Sequence, residues 1–218
     1  MRNEFHSKLS ELHTEMMKMN TAIEKSLDML ISGMETRDTE ILKEIVRRDD
    51  IVDDLEREIE RVCINLISKE QPVAIDLRNL ASLLKMITDL ERISDHCTDI
   101  AKYLIEIIES SDRYMFDTSD FRNMSMIVKE MVSATTDCYI KSDYKNAKVI
   151  SLSDDKIDDY FDSIVSEIQE AMENDKNCIF QGIRFLYIAK YFERIADHTT
   201  NICEWIIYRV TGERKQYN

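Results

Sequence analysis

The chain has 218 residues, of which 3 are Gly and 1 is Pro, while Asp, Glu, Lys and Arg make up 33%. This composition favours long helices with charged outer faces, because a sheet protein needs more turn residues. The formal net charge of -14 argues against direct nucleic-acid binding, since phosphate contacts require a basic surface. No segment approaches the roughly 20 apolar residues that a membrane span needs. We therefore expect a cytoplasmic protein that is not inserted in a membrane.

The first half of the chain is predicted to form three helices. The opening helix covers roughly residues 5 to 35, and the middle helix runs from about Asp38 to Lys69, where Gln71-Pro72 ends it. The last helix has the clearest apolar stripe, with alternating three- and four-residue steps. Its residues are Leu83, Met86, Leu90, Ile93, Cys97, Ile100, Leu104 and Ile107.

The second half repeats this pattern after a polar link at residues 111–118. Helices are predicted at residues 119 to 141 and at about 144 to 173, followed by a final helix with its own apolar stripe. A shift of 102 residues converts the first stripe into Phe185, Ile188, Phe192, Ile195, Thr199, Ile202 and Ile206. We therefore predict an all-α protein of two tandem antiparallel three-helix bundles, with domains at residues 1–110 and 119–218.

One ten-residue phrase occurs twice, with seven identical positions. The copies are Glu91-Arg-Ile-Ser-Asp-His-Cys-Thr-Asp-Ile100 and Glu193-Arg-Ile-Ala-Asp-His-Thr-Thr-Asn-Ile202. Each copy places three polar residues four apart, on one face of a helix. The middle helices carry a D-x-x-x-D pair that recurs after 105 residues. The candidate ligands are Asp49, Asp53, Glu91, Asp95 and Asp99 in the first half, and Asp154, Asp158, Glu193, Asp197 and Asn201 in the second.

These acids favour a metal site on the bundle surface. Helical geometry places Glu91, Asp95 and Asp99 roughly opposite the apolar stripe of their helix. If the middle and last helices are antiparallel neighbours, four or five oxygen ligands converge on a groove. Such a set suits magnesium, manganese or iron better than zinc, which prefers thiolate or imidazole. A bound ion would also relieve the repulsion between the carboxylates.

Three other interpretations are open. The acids can be solvated helix faces, with Arg92 and Arg194 as salt-bridge partners, or the acidic face of a metal-free helical scaffold that recruits a basic partner. The third is a ferritin-like di-iron carboxylate enzyme, which would need E-x-x-H on two helices. Ser94 and Ala196 stand three residues after the repeated glutamates, so the pattern disfavours that enzyme.

The histidines and cysteines are assigned structural roles. His96 and His198 recur at the edge of the stripes, and we expect them at the bundle interface rather than among the ligands. His6 and His13 have no visible companions. The 5 cysteines show no C-x-x-C spacing, so neither a disulfide framework nor a zinc ribbon is predicted, and Cys97 and Cys203 are expected in the core.

The repeat, its spacing and its flanking residues resemble the PhoU family of phosphate-transport regulators. The matching stretches are Leu90-Glu-Arg-Ile-Ser-Asp95, Phe192-Glu-Arg-Ile-Ala-Asp197, Asp49-Asp-Ile-Val-Asp-Asp-Leu-Glu56, Gln71-Pro-Val-Ala-Ile-Asp-Leu-Arg78 and Asn201-Ile-Cys-Glu-Trp205. The resemblance implies metal clusters on the bundle surfaces, held by the ten candidate ligands, with iron favoured and zinc, manganese, magnesium or nickel as alternatives. Two departures concern these motifs. Ser94 and Ala196 replace the family's usual Gly, and Asn201 stands where the first copy has Asp99.

The resemblance also implies a function. PhoU proteins are regulators without known catalysis, so no enzyme activity is expected. When phosphate is plentiful, such a protein links the ATPase subunit of a phosphate ABC transporter to a sensor histidine kinase, restrains uptake and represses phosphate-starvation genes. We accordingly expect a negative regulator that forms a homodimer and reaches the inner face of the membrane only through partner proteins.

Overall fold

The structure is a computed structural model that describes residues 2–153 and 155–213. Every regular element within these two ranges is a helix, which confirms the predicted all-α class. The first half contains α1 (Arg2–Thr36), α2 (Thr39–Arg47), α3 (Asp49–Glu70) and α4 (Ala74–Ser110). The second half contains α5 (Ser119–Lys141), α6 (Tyr144–Ser151), α7 (Asp155–Asn174) and α8 (Ile179–Thr211), with a 3-10 turn at Lys176–Cys178 before α8.

The middle helix of each half is broken into two segments. Asp38 caps α2 by accepting hydrogen bonds from two backbone N–H groups of its first turn. At Arg48 the backbone leaves helical geometry, with φ -100° and ψ 4°, and α3 begins at Asp49. The prediction of one continuous helix missed this break, because the buried residues Ile45 and Val52 are seven apart, a spacing that an unbroken helix also gives. A similar break separates α6 from α7.

The two long helices α4 and α8 form the centre of the molecule. Their mutual contact is the most extensive of any pair of described helices. Arg184 of α8 donates to Glu106 of α4, whereas His198 of α8 bonds to Asp89 of α4. Because later residues of α8 meet earlier residues of α4, the two helices are antiparallel. α1, α2 and α3 pack on α4, while α5, α6 and α7 pack on α8, so this pair joins the two predicted bundles.

The predicted apolar stripes of α4 and α8 form the core. The eight stripe residues of α4 are at most 4% exposed, and the seven of α8 are at most 6% exposed. Burial of a Leu, Ile or Phe side chain contributes about 1.5–3 kcal/mol, so these stripes are a principal source of stability. Cys97 and Cys203 lie in the core as predicted, and all 5 cysteines are buried free thiols.

The segment between α4 and α5 is held by both halves of the molecule. Tyr114 donates a hydrogen bond to the Met34 carbonyl at 2.8 Å. Gln181 of α8 accepts a hydrogen bond from the Met115 N–H at 3.0 Å and donates one to the Arg113 carbonyl at 3.2 Å. The polar link is therefore a fixed part of the fold, and the domain division at residues 110 and 119 stays a prediction.

His13 forms a second connection between the halves. Its Nδ1 atom is hydrogen-bonded to the hydroxyl of Tyr139 on α5, so the expectation that His13 has no companion is wrong. Burial lowers the pKa of His13 to about 4, and the positive charge of Arg209 contributes in the same direction. The imidazole is therefore neutral near pH 7.

Candidate metal sites in two acidic grooves

The first acidic groove lies between α3 and α4 and consists of Asp49, Asp53, Glu56, Glu91, Asp95 and Asp99. Two hydrogen bonds define how the helices align. Thr98 Oγ1 donates to Asp49 Oδ1 at 2.7 Å, and Thr88 Oγ1 donates to Glu56 Oε1 at 3.1 Å. Because the later residue of α3 meets the earlier residue of α4, these helices are antiparallel neighbours. Acids on both helices therefore line the same groove.

Three carboxylates meet in the first acidic groove. Asp53, Glu91 and Asp95 each offer an oxygen that lies within 4.8 Å of the other two. The side chain of Glu91 is only 17% exposed, because α3 covers this side of α4. Asp53 Oδ1 is buried and accepts no hydrogen bond from the described residues. A buried oxygen without a donor is unfavourable, and a cation bound beside it would satisfy it.

Burial and mutual repulsion disfavour the charged forms of two of these acids. Burial raises the pKa of Glu91, and the negative charge of Asp95 raises it further. Burial likewise raises the pKa of Asp95, with an added contribution from Asp49. A divalent cation would reverse this effect, because a nearby positive charge favours the ionised carboxylate. The residues present thus fit a cation of the hard or borderline class.

Arg92 neutralises part of the charge at the outer edge of this groove. Its Nε atom lies 3.4 Å from Glu91 Oε2, and its Nη1 atom lies 3.3 Å from Asp95 Oδ2. The Arg92 side chain is 55% exposed, and exposed ion pairs contribute only about 0–1 kcal/mol. Neither ion pair involves Asp53, so Arg92 leaves the buried part of the groove without a counter-ion.

The other acids of the first acidic groove lie around this group of three. Asp49 and Asp99 both act on Asp95 through their charges, while Asp99 also pairs with Lys102 at 3.4 Å. Glu56, which was not among the predicted ligands, acts on Glu91 in the same way. The sequence does contain a pattern that predicts Glu56 as a member of the groove. Glu56 follows Asp53 by three residues, so the two side chains lie on the same face of α3.

The second acidic groove lies between α7 and α8 and contains Asp158, Lys190, Glu193 and Asp197. Burial raises the pKa of Asp158 and of Asp197, and the charge of Glu193 is the next contribution for both. Glu193 therefore lies close to both aspartates. Lys190 Nζ forms an ion pair with Glu193 Oε2. Asp154, the predicted ligand that corresponds to Asp49, lies outside the described residues.

The predicted ligand Asn201 makes its contact at the interface of α4 and α8. Its Nδ2 atom donates to Asp89 Oδ1 at 3.4 Å, and His198 Nδ1 lies 2.9 Å from the same oxygen. The nitrogen of the amide is thus engaged with the other half of the molecule. A ligand role for the amide oxygen stays a prediction.

His96 and His198 lie at the interface of α4 and α8, as predicted. Their ring centroids are 5.5 Å apart, and His96 also stacks on Tyr191 at 5.2 Å. His96 is 8% exposed, and burial lowers its pKa to about 4. It is therefore a neutral ring packed between the two halves.

These observations define a class of protein: an all-α chain made of two similar bundles, each with an acidic groove on its surface. The chain belongs to the PhoU family, because the family model described as PhoU domain matches residues 16–104 and 121–206. This family comprises regulatory accessory proteins rather than enzymes, so the chain is not an enzyme. The di-iron enzyme interpretation is thereby excluded.

Several relatives resemble the chain over nearly its whole length. A protein of Clostridium acetobutylicum named phosphate-specific transport system accessory protein PhoU homolog is 37% identical, over 98% of this chain and 97% of that protein. The Escherichia coli protein named phosphate-specific transport system accessory protein PhoU is 29% identical, over 96% of this chain and 86% of that protein. The family assignment therefore covers both halves.

Solved structures have the same fold. The crystal structure of PhoU from Pseudomonas aeruginosa aligns with a TM-score of 0.92 and 26% identity, over 96% of this chain and all of that chain. The phosphate transport system regulatory protein PhoU from Streptococcus pneumoniae aligns with a TM-score of 0.89 and 26% identity, over 97% and 99% of the two chains. Within residues 2–153 and 155–213, no helix has the length and apolar character to cross a membrane.

Proposed function

We propose that this protein is a metal-dependent negative regulator of phosphate uptake. It acts as a cytoplasmic adaptor between the ATPase subunit of a phosphate ABC transporter and a sensor histidine kinase, and it reaches the membrane only through the transporter. Support for the phosphate role comes from the relatives, which are named as accessory proteins of the phosphate-specific transport system. Support for the metal comes from the first acidic groove.

The single observation that carries the metal assignment is the group of Asp53, Glu91 and Asp95, with a carboxylate oxygen of each within 4.8 Å of the other two. These residues would hold the cation, and Asp49, Glu56 and Asp99 would extend the set of oxygen ligands. Iron is proposed first, with manganese, magnesium, zinc or nickel as alternatives. A cation held by Asp53 of α3 and by two acids of α4 would stabilise the contact between these helices.

An adaptor also needs surfaces that bind other proteins. Large apolar side chains are exposed near the start of α4 and near the start of α8. They are Val73, Ile75 and Leu77 at α4, and Ile179, Phe180 and Ile183 at α8. Because α4 and α8 are antiparallel, these two groups lie at opposite ends of the molecule. Exposed apolar patches are typical of protein interaction sites, and they support contacts with the transporter ATPase, the kinase or a second copy in a homodimer.

Metal content of the purified protein tests the metal assignment. The parent, prepared without an affinity tag and incubated anaerobically with Fe²⁺ or with Mn²⁺, is expected to retain metal in a stoichiometric amount after desalting. The groove variant should lose that metal while its circular dichroism stays helical. A control variant with exposed acids of α3 replaced should retain it. The groove variant is Asp53→Asn with Glu91→Gln and Asp95→Asn, and the control is Asp54→Asn with Glu58→Gln and Glu60→Gln.

The outcomes distinguish the remaining interpretations. If the parent holds no metal with any of the five proposed ions, the metal assignment is wrong and a metal-free scaffold remains. If the groove variant keeps as much metal as the parent, Asp53, Glu91 and Asp95 are not the ligands that hold it.

The regulatory role is tested separately by deletion of the gene in its host. Phosphate uptake and phosphate-starvation genes are expected to stay active in phosphate-rich medium. Normal repression in the deletion strain would reject the role of a negative regulator, whatever the metal content of the protein.

A further inference from the structure

The two acidic grooves share one sequence pattern but differ at several matching positions, three of which make the second acidic groove less favourable to a cation. Residues of α3 correspond to those of α7 after a shift of 105, and residues of α4 correspond to those of α8 after a shift of 102. These three are Glu56 against Phe161, Thr88 against Lys190, and Asp99 against Asn201. Each of them either removes a negative charge from the second acidic groove or adds a positive one, and so reduces its attraction for a cation. A fourth difference acts in the opposite direction, because Arg57 of α3 is matched by Asp162 of α7, whose negative charge acts on Asp158.

Lys190 is held in the second acidic groove by two contacts. Its ammonium group forms an ion pair with Glu193 Oε2, and it also lies 5.3 Å from the centroid of the Phe161 ring. An aromatic face attracts a cation at this distance. Phe161, which stands where the first acidic groove has Glu56, therefore stabilises the ammonium group of Lys190. Lys190 itself stands where the first acidic groove has Thr88. These two differences act together to place one positive charge beside Glu193.

The first acidic groove provides a matched comparison. The Glu91 side chain is 17% exposed and that of Glu193 is 16% exposed, so the two glutamates are equally covered. Thr88, at the position of Lys190, donates a neutral hydroxyl to Glu56. Arg92 reaches Glu91 only from the outer edge, with a side chain that is 55% exposed. The two glutamates differ in what their cationic partners reach. The ion pairs of Arg92 are with two acids of α4, whereas Lys190, whose side chain is 43% exposed, pairs with Glu193 and also acts through its charge on Asp197 of α8 and on Asp158 of α7.

We propose that Lys190 is a built-in counter-ion that makes the two grooves unequal in metal affinity. The first acidic groove binds a divalent cation tightly, whereas the second binds one only when the cation displaces Lys190 from Glu193. The displacement follows from repulsion, since an ammonium group and a divalent cation cannot both lie against one carboxylate without a large unfavourable interaction. This inference rests on the proposed metal binding and specifies how that binding differs between the halves.

The test isolates the second acidic groove and measures its affinity for Mn²⁺ by the signal of free Mn²⁺ in electron paramagnetic resonance. The background is the groove variant defined above, in which the first acidic groove has lost its three carboxylates. In this background Lys190→Thr should raise the Mn²⁺ affinity at least about tenfold, because it removes one nearby positive charge. Lys190→Arg keeps the charge and should leave the affinity unchanged. Lys25→Thr, on exposed Lys25 of α1, controls for net charge.

The reverse substitution tests the same idea in the first acidic groove. With the second groove disabled by Glu193→Gln and Asp197→Asn, Thr88→Lys should lower the Mn²⁺ affinity at least about tenfold. The inference is overturned if Lys190→Thr changes the affinity no more than Lys25→Thr does, or if Lys190→Arg raises it equally. If the parent protein binds none of the proposed ions, including Mn²⁺ and Fe²⁺, the metal assignment itself is wrong. That result is separate from an unequal or equal affinity of the two grooves.

Discussion

His13 should make the free energy of unfolding depend on pH, and the substitution His13→Asn tests this. An Asn side chain places an amide group near the position of Nδ1, so it can also form a hydrogen bond with the hydroxyl of Tyr139. Two causes lower the pKa of His13. The larger is its burial, and the smaller is the positive charge of Arg209 of α8. Neither cause depends on the acidic grooves, so the experiment uses metal-free protein.

The magnitude follows from the two pKa values of His13. In the folded protein the pKa is about 4, and in the unfolded chain it is about 6.5. Between these values the unfolded chain binds more protons, so the stability present above pH 6.5 is lost as pH falls towards 4. From pH 8 to pH 5 the loss attributable to His13 is about 1–2 kcal/mol.

Urea unfolding at pH 8 and at pH 5, followed by circular dichroism, measures this loss. Between pH 8 and pH 5, the free energy of unfolding of the parent should fall by about 1–2 kcal/mol more than that of His13→Asn. His6→Asn, on the same helix but at an exposed position, should behave like the parent. An equal pH dependence in the parent and His13→Asn would refute the reasoning and show that His13 ionises freely in the folded protein.

Substitutions at three further positions test packing and hydrogen bonds by urea unfolding. Gly33→Ala should destabilise the protein by about 1–3 kcal/mol, since its Cβ would lie 2.6 Å from Leu42 Cδ2; unchanged stability would mean that α1 and α2 can separate at little cost. Asp38→Ala should lower stability by about 1 kcal/mol through loss of the α2 cap, whereas Asp38→Asn should keep most of it. Gln181→Leu should destabilise by about 2–3 kcal/mol, because two backbone groups near Met115 lose their partner; a neutral result would show that water replaces them.

The apolar periodicity was sufficient to predict the helices and the core. The stripe from Leu83 to Ile107 is buried along its full length, and α3 ends at Glu70, directly before the Gln71-Pro72 pair that predicted its end. These features depend on residues close together in the sequence, where spacing and backbone geometry determine the outcome. The break at Arg48 was missed, since the apolar spacing continues across it.

The contents of the grooves were harder to predict, because they depend on which helices become neighbours. Spacing along α4 placed Glu91 and Asp95 away from the apolar stripe, but it did not show that α3 covers that face and leaves Glu91 only 17% exposed. The ion pair of Lys190 with Glu193 lies within one helix, yet its importance is evident only beside Phe161 of α7. Contacts between residues that are more than 100 positions apart, such as His13 and Tyr139, produce no periodic pattern in the sequence.

The burial of the cysteines has a practical consequence for probing the grooves. The 5 cysteines are between 0% and 4% exposed, and burial raises the pKa of Cys63 and Cys203 to about 12. Alkylating and spin-labelling reagents need an accessible thiolate, so the folded native chain offers them almost no target. A single new cysteine on an exposed position of α3 or α7 would therefore carry a label at one known place. Its spectrum would report, in the intact protein, how the labelled helix moves when a cation enters either groove.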